Sequence, residues 1–279
     1  MEKLTTKKIQ GLKGKRKITK VTALNYCSAK VIEEAGIDII GLDGPPIELY
    51  FKGEKDGINA GLEELIFCIK AVRRGAPNTF IMSPVPFKIS NGNKESIIDA
   101  SKRLVGAGAD AVKIEGAGKN FTKIEELISN GINCVGTIGH NQELYIKQGF
   151  RSVGKKADEA IRSFEDAKVL QQLGVIWIEI ECIPFKISAE ITRSLKIPTI
   201  GIGSGPDCDG QFLHSEDILG MHDNYYPKHC KKYMDFYFDS REALSNFKED
   251  VLNEIFPMEK NSFEIQDREF FDFKEKLEL

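Results

Sequence analysis

ADEAIRSFEDAKVLQQLGVIWIEIEC, residues 157–182, contains one complete unit of the fold. Ala157, Ala160, Ile161, Phe164, Ala167 and Leu170 recur at helical spacing with charges between them. Residues 157–173 therefore read as an amphipathic helix with one face on a core. Gly174 follows, where a left-handed residue most easily ends a helix. The apolar run 175–180 then reads as a strand, and an acidic residue, Glu181, stands at its end.

The alternation repeats in both directions. Strands are predicted at 18–24, 38–42, 79–83, 111–114, 134–138, 175–180 and 199–202, with a weaker eighth at 217–221. Helices are predicted at 28–35, 62–74, 94–106, 123–129, 157–173, 189–195, 228–233 and 241–255. Within 62–74, Leu62, Leu65, Ile66, Ile69 and Val72 repeat the helical spacing, and Gly36, Gly108 and Gly131 stand where Gly174 does. The strands carry few alternating polar residues, the pattern of a parallel sheet covered on both faces. Eight such units favour a closed α/β barrel, a (β/α)8 TIM barrel with additional N- and C-terminal helices, over an open doubly wound sheet. The expected division is one barrel domain over 1–255 and a charged, partly aromatic tail over 256–279.

A chain of 279 residues suits one such barrel. Its 39 Lys and Arg against 42 Asp and Glu leave a net charge of −3, no electrostatic footprint for nucleic acid or an anionic membrane. The basic opening stretch has no apolar h-region, and no apolar run approaches the roughly 18 residues of a spanning helix. The six cysteines are scattered without CxxC pairs, which suits a reducing compartment. These features predict a cytoplasmic protein acting on a small molecule.

Barrel chemistry sits at the C-terminal strand ends. Those positions hold Asp43, Pro84, Lys113, Glu115, Thr137 and Glu181, and the glycines of GIGSG at 201, 203 and 205. Carboxylates and a lysine at one mouth suit a divalent metal and a small anion, because Mg²⁺ takes one or two carboxylates and keeps waters for a substrate to displace. A chelating 2-oxo acid would have its carbonyl polarised, and a remaining carboxylate could remove the neighbouring proton. The plain alternatives are that an acidic residue after a strand caps a helix, that Lys113 is a rim lysine with its head in solvent, and that GIGSG is a tight turn rather than an anion cradle. Lys113, Glu115 and Glu181 weigh against the plain account together, since all three interrupt or end buried apolar strands.

KAVRRGAPN (70–78), GADAVKIEG (108–116), IEIECIP (178–184), IPTIGIGSGPDCDGQ (197–211) and PK (227–228) occur in this order, with TALNYCSAK (22–30) and QGFRSVGK (148–155) as weaker echoes. Together they resemble ketopantoate hydroxymethyltransferase, a family of the phosphoenolpyruvate mutase/isocitrate lyase superfamily, over about residues 1–255. The resemblance implies a (β/α)8 barrel, typically decameric. It also implies one-carbon transfer from methylenetetrahydrofolate to 3-methyl-2-oxobutanoate, with Mg²⁺ holding the oxo acid, and hence a place in pantothenate biosynthesis. By resemblance Glu181 is the general base, Asp43 a metal ligand, Glu115 the acidic residue near the metal, and Lys113 the lysine at the bound oxo acid. Asp43, Gly44, Lys113 and Thr137 occupy the substrate-binding positions.

Departures concentrate at the mouth. The family's second metal-binding Asp falls at Pro84, which has no ligand atom, so a weakened Mg²⁺ site is expected. The serine that holds the substrate carboxylate falls at Gly44, and the histidine after the fifth strand falls at Thr137, with His140 displaced. The segment DGINAG (56–61) and the Glu216–Asp217 pair also depart from the family pattern. Two accounts follow: an enzyme acting on this or a related 2-oxo acid, or a catalytically silent relative that binds a ligand or assembles with an active copy. A lyase or mutase of the wider superfamily is disfavoured, because no KKCGH-type segment is present.

Overall fold

The computed structural model describes residues 3–53, 60–223 and 225–278. Eight parallel strands close into a barrel in chain order, with the eighth paired to the first. They are β1 (Ile18–Thr22), β2 (Ile39–Gly41), β3 (Phe80–Pro84), β4 (Ala111–Lys113), β5 (Cys134–Gly139), β6 (Ile178–Glu181), β7 (Thr199–Ile202) and β8 (Gly210–Leu213). The α/β barrel expected from the alternation is therefore present, and the helix at Ala157–Leu173 has the predicted bounds.

The eighth strand needs correction. Residues 217–221 do not form it: Asp217 lies in the helix Ser215–Ile218, and the strand is the earlier GQFL segment. The polar Gln211 and the flanking Asp209 and Gly210 disguised that strand. A Cβ at residue 210 would lie 2.5 Å from the Ile18 carbonyl oxygen, so glycine permits the close approach that shuts the barrel. The helix predicted at 228–233 is absent; that stretch is turns and bends. A helix not predicted, Gly44–Lys52, follows β2 directly. Its two prolines read as breakers, yet they sit in the first turn, where no N–H is required.

Alternation along the strands divides the interior into two cores. Outward residues such as Ile40, Ile81, Val112, Ile178 and Ile180 pack under the helices with Leu65, Ile69, Leu104, Leu127 and Leu170. Inward residues Ile18, Ile39, Phe80, Ala111, Val135, Trp177 and Ile200 form the barrel floor. Phe80 and Trp177 meet edge to face at 5.6 Å between ring centroids. The short N-terminal helix Thr6–Gln10 adds Ile9, fully buried, to this floor.

The chain separates into two compact units, 1–218 with 225–232, and 219–224 with 233–279. The second unit takes in the helix Phe236–Leu252 and the helix Asp267–Lys276, neither of which buries a residue. Among the described residues no helix is long and apolar enough to cross a membrane.

If Ile9 seals the barrel floor, Ile9→Ala should cost about 2–5 kcal/mol, the usual range for truncating a buried isoleucine. Urea unfolding monitored by Trp177 fluorescence measures this, and a loss below about 0.5 kcal/mol, the level of an ordinary surface change, would refute the seal.

Candidate functional site

Inward-facing positions on β4 and β6 place the site. Lys113 ends β4, and its side chain turns into the barrel, where the residue is only 1% exposed. Its ammonium lies 3.1 Å from Glu179, 3.4 Å from Asp43, and 3.7 Å from both Glu115 and Glu181. The rim-lysine alternative is thereby overturned. A head in solvent would not be surrounded by four carboxylates.

Each carboxylate comes from a different level or strand. Asp43 follows β2 at the N-cap position of the helix Gly44–Lys52 but makes no capping hydrogen bond. One of its oxygens faces Lys113 and the other, Oδ2, is buried without a partner. Glu181 ends β6, with 19% of its side chain exposed at the mouth. Its backbone carbonyl accepts from the His140 N–H at 2.8 Å. Gly139, at φ 95°, allows β5 to pass this point, because a Cβ there would sit 2.2 Å from the same carbonyl oxygen. Glu115 is 21% exposed at the side chain.

Glu179 and Lys20 escaped the sequence reading. Both are fully buried, and Lys20 donates to Glu179 at 2.5 Å. The signal was parity: Glu179 and Glu181 are two apart on β6, so a sheet that turns one inward turns the other inward as well. Thr137 pairs in register with Glu179 and shares that level, fully buried, with an unpartnered hydroxyl oxygen.

Electrostatics follow from this crowding. Burial opposes a charge on Lys113, but Asp43, Glu179, Glu181 and Glu115 outweigh it and raise its pKa well above that of an ordinary lysine. Burial likewise pushes the Glu179 carboxyl up, yet Lys113 and Lys20 hold it down at about 2. Glu181 goes the other way. Burial raises it, Lys113 pulls it back only in part, and the negative charges of Glu115, Glu179 and Asp43 add to the rise, leaving it at about 8. His140 is pushed down by burial and by Arg151.

Pro84 and Gly44, two of the departures from the family pattern, line one cleft with Leu65, Val85, Phe87 and Glu115. Pro84 pairs with Lys113 across the β3–β4 ladder, which puts an apolar ring where a metal-binding carboxylate was expected. Among the described residues no three His, Cys, Asp or Glu side chains group as a metal cage. The fit to Mg²⁺ therefore rests on two carboxylates, Asp43 and Glu115, which approach one ammonium, and on the orphaned Oδ2 of Asp43. That donor set suits an ion that keeps several waters or a chelating ligand.

GIGSG is a packed turn. The space beside Gly201 holds Cys208, that beside Gly203 holds His229 and Cys182, and that beside Gly205 holds Phe185. The Ser204 hydroxyl donates to the Ile180 carbonyl at 2.7 Å, stitching the turn to β6. Glu216 accepts from the Thr22 hydroxyl at 2.6 Å, and Asp217 accepts from the Cys230 thiol at 3.3 Å. Of the DGINAG segment, residues 56–59 lie outside the described residues.

The ketopantoate hydroxymethyltransferase family model matches residues 3–259. The chain belongs to this family. A 3-methyl-2-oxobutanoate hydroxymethyltransferase from Thermosipho melanesiensis is 41% identical over 261 residues, covering 93% of this chain and 98% of the relative. One from Acetivibrio thermocellus is 37% identical over 269 residues, 95% of each chain. Among solved structures, a phosphonopyruvate hydrolase complex with oxalate and Mg²⁺ superposes with a TM-score of 0.59 at 13% identity, covering 99% of this chain and 97% of that one. A 2,3-dimethylmalate lyase of the PEP mutase/isocitrate lyase superfamily gives 0.57 at 12%, with the same coverage. At those identities the likeness concerns the barrel. Membership of the ketopantoate hydroxymethyltransferase family makes the chain a relative of transferases.

The Glu181 carboxyl fixes a pH signature in the metal-free protein. Its pKa is raised from 4.5 unfolded to about 8 folded. The stability it contributes is thus full below pH 4.5 and is lost as pH rises through 8. Glu181→Gln, which mimics the neutral form, should match the parent in melting temperature at pH 4.5 and exceed it by more than about 3 °C at pH 8.5. Thermal melts in a chelating buffer read this, and equal melting temperatures at both pH values would count against the raised carboxyl.

Proposed function

We propose that the chain removes the C3 proton of 3-methyl-2-oxobutanoate or a closely related branched 2-oxo acid and transfers a hydroxymethyl unit to that carbon. The observation that carries this reading is the carboxyl of Glu181, held at about 8, 3.7 Å from the charged Lys113 at the barrel mouth. A base poised near neutrality is suited to proton abstraction beside a carbonyl. Its relatives bear the name of this same reaction.

In this mechanism Lys113 holds the substrate carboxylate. Glu181 takes the C3 proton, and the released electron pair passes into the enolate. Water hydrolyses the methylene bridge of methylenetetrahydrofolate, breaking both C–N bonds and releasing tetrahydrofolate and formaldehyde. The C3 carbon of the enolate then bonds to the formaldehyde carbon, and the carbonyl oxygen takes the proton held by Glu181 to become the new hydroxyl. Gly44 lines the cleft without a side chain, and Thr137 offers its unpartnered hydroxyl below. Asp43 and Glu115 are the residues that would hold Mg²⁺, which when bound supplies a Lewis acid for the 2-oxo group. A role in pantothenate biosynthesis, a cytoplasmic location and a homo-oligomer, decameric by resemblance, belong to the same proposal.

A second reading, a catalytically silent relative, draws on Pro84 and Gly44, whose side positions offer the cleft no polar atom. Deuterium exchange at C3 of 3-methyl-2-oxobutanoate, followed by NMR with Mg²⁺ present, separates the two. The enzyme reading requires exchange that rises with pH through about 8 and falls at least about 100-fold in Glu181→Gln. No exchange across a panel of 2-oxo acids would favour the silent relative. Asp43→Ala should abolish the Mg²⁺ dependence of exchange, and an unchanged Mg²⁺ titration would remove Asp43 from the metal site.

A further inference from the structure

We infer that Lys20 and Glu179 form a charged layer inside the barrel that positions Lys113 for the substrate's carboxylate; this rests on the functional reading above. Barrel interiors are ordinarily filled by branched apolar side chains. Here the floor is apolar, but the next inward level carries Lys20 on β1, Lys113 on β4 and Glu179 on β6. Glu179 uses one oxygen for each lysine, 2.5 Å to Lys20 and 3.1 Å to Lys113.

The layer is locked on every side. The Lys20 ammonium lies 3.6 Å from the centroid of the Phe212 ring, a cation–π contact from β8. Its stem crosses β2 at Gly41, where an added Cβ would come within 2.7 Å of Lys20 Cε. Glu179 has no exposed surface and so cannot turn to water.

Charge balance gives the layer its task. Glu179 with Lys113 alone would be a closed neutral pair, and the ammonium would be drawn inward. With Lys20 satisfying the other oxygen, two lysines share one carboxylate, and the layer keeps one positive charge. That surplus faces Asp43, Glu115 and Glu181 at 3.4–3.7 Å from the Lys113 ammonium, so the ammonium stays at the mouth and offsets part of their negative charge where the substrate enters. Lys20 thus acts on the substrate only through Glu179 and is a positioning residue.

A double-variant cycle tests this. Binding of 3-methyl-2-oxobutanoate to the full chain in Mg²⁺ would be measured by calorimetry, and KM and kcat by turnover. Lys20→Met should weaken binding and raise KM about tenfold with kcat changed less than about threefold, a coupling within the range of neighbouring charged groups. In the Glu179→Gln background the same Lys20→Met change should alter KM less than about twofold, because its route to Lys113 is gone. Should Lys20→Met fail to fold, Glu179→Gln and the double variant, which carry no buried carboxylate at 179, still give the second comparison. A tenfold difference between those two, or a folded Lys20→Met with parental affinity, overturns the inference alone. A parent protein that binds no 2-oxo acid overturns the functional reading and the inference with it.

Discussion

Charge withdrawn from water must be answered by opposite charge close by, and this requirement governs the interior of the barrel. An isolated buried ion costs several kcal/mol, and removing one member of a buried pair leaves that cost exposed. Lys113 answers to four carboxylates at once. None of the four can be understood separately. Glu179 stays ionised because two lysines flank it, and Glu181 holds its proton to a high pH because it is buried and because its neighbours are already negative. Lys113 lowers both carboxyls, yet burial and the surrounding negative charges leave these two, two residues apart on one strand, in opposite states.

The same crowding explains how a site short of one metal-binding carboxylate keeps its organisation. Pro84 presents a ring and no oxygen, and Gly44 presents no side chain, so neither adds a side-chain ligand beside Asp43 on the β2–β3 side of the mouth. Asp43, Glu115 and Glu181 nevertheless converge, because Lys113 gathers them from below. What the departures remove is a share of the hold on a cation. The acid–base geometry around Glu181 depends on β5, β6 and Gly139, which lie on the other side of the barrel opening.

Much of this was legible in the sequence, for identifiable reasons. Seven strands emerged because burial on both faces makes parallel strands continuously apolar, and their polar ends then stand out. Asp43, Lys113, Glu115 and Glu181 stand out in this way. Glu179 and Lys20 were missed because they lie inside strands, where a charge reads as noise until its inward parity is known. The eighth strand was hidden by Gly210 and Gln211, and the helix Gly44–Lys52 by prolines that suit its first turn. GIGSG resembled a ligand cradle, but its bare backbone is taken up by Phe185, Cys208, Cys182 and His229. A glycine run has the same appearance whether the space it leaves is filled by a ligand or by the protein.

The fit of Lys20 over Gly41 also bears on how this interior can change over generations. Shortening the lysine alone takes from Glu179 its nearer cation and leaves it only Lys113, enlarging the glycine alone collides with the lysine, and neutralising the glutamate alone leaves two cations facing each other. Each solitary step descends before any combination can climb. Positions 20, 41 and 179 are therefore physically interdependent, and each constrains which side chains the other two can carry.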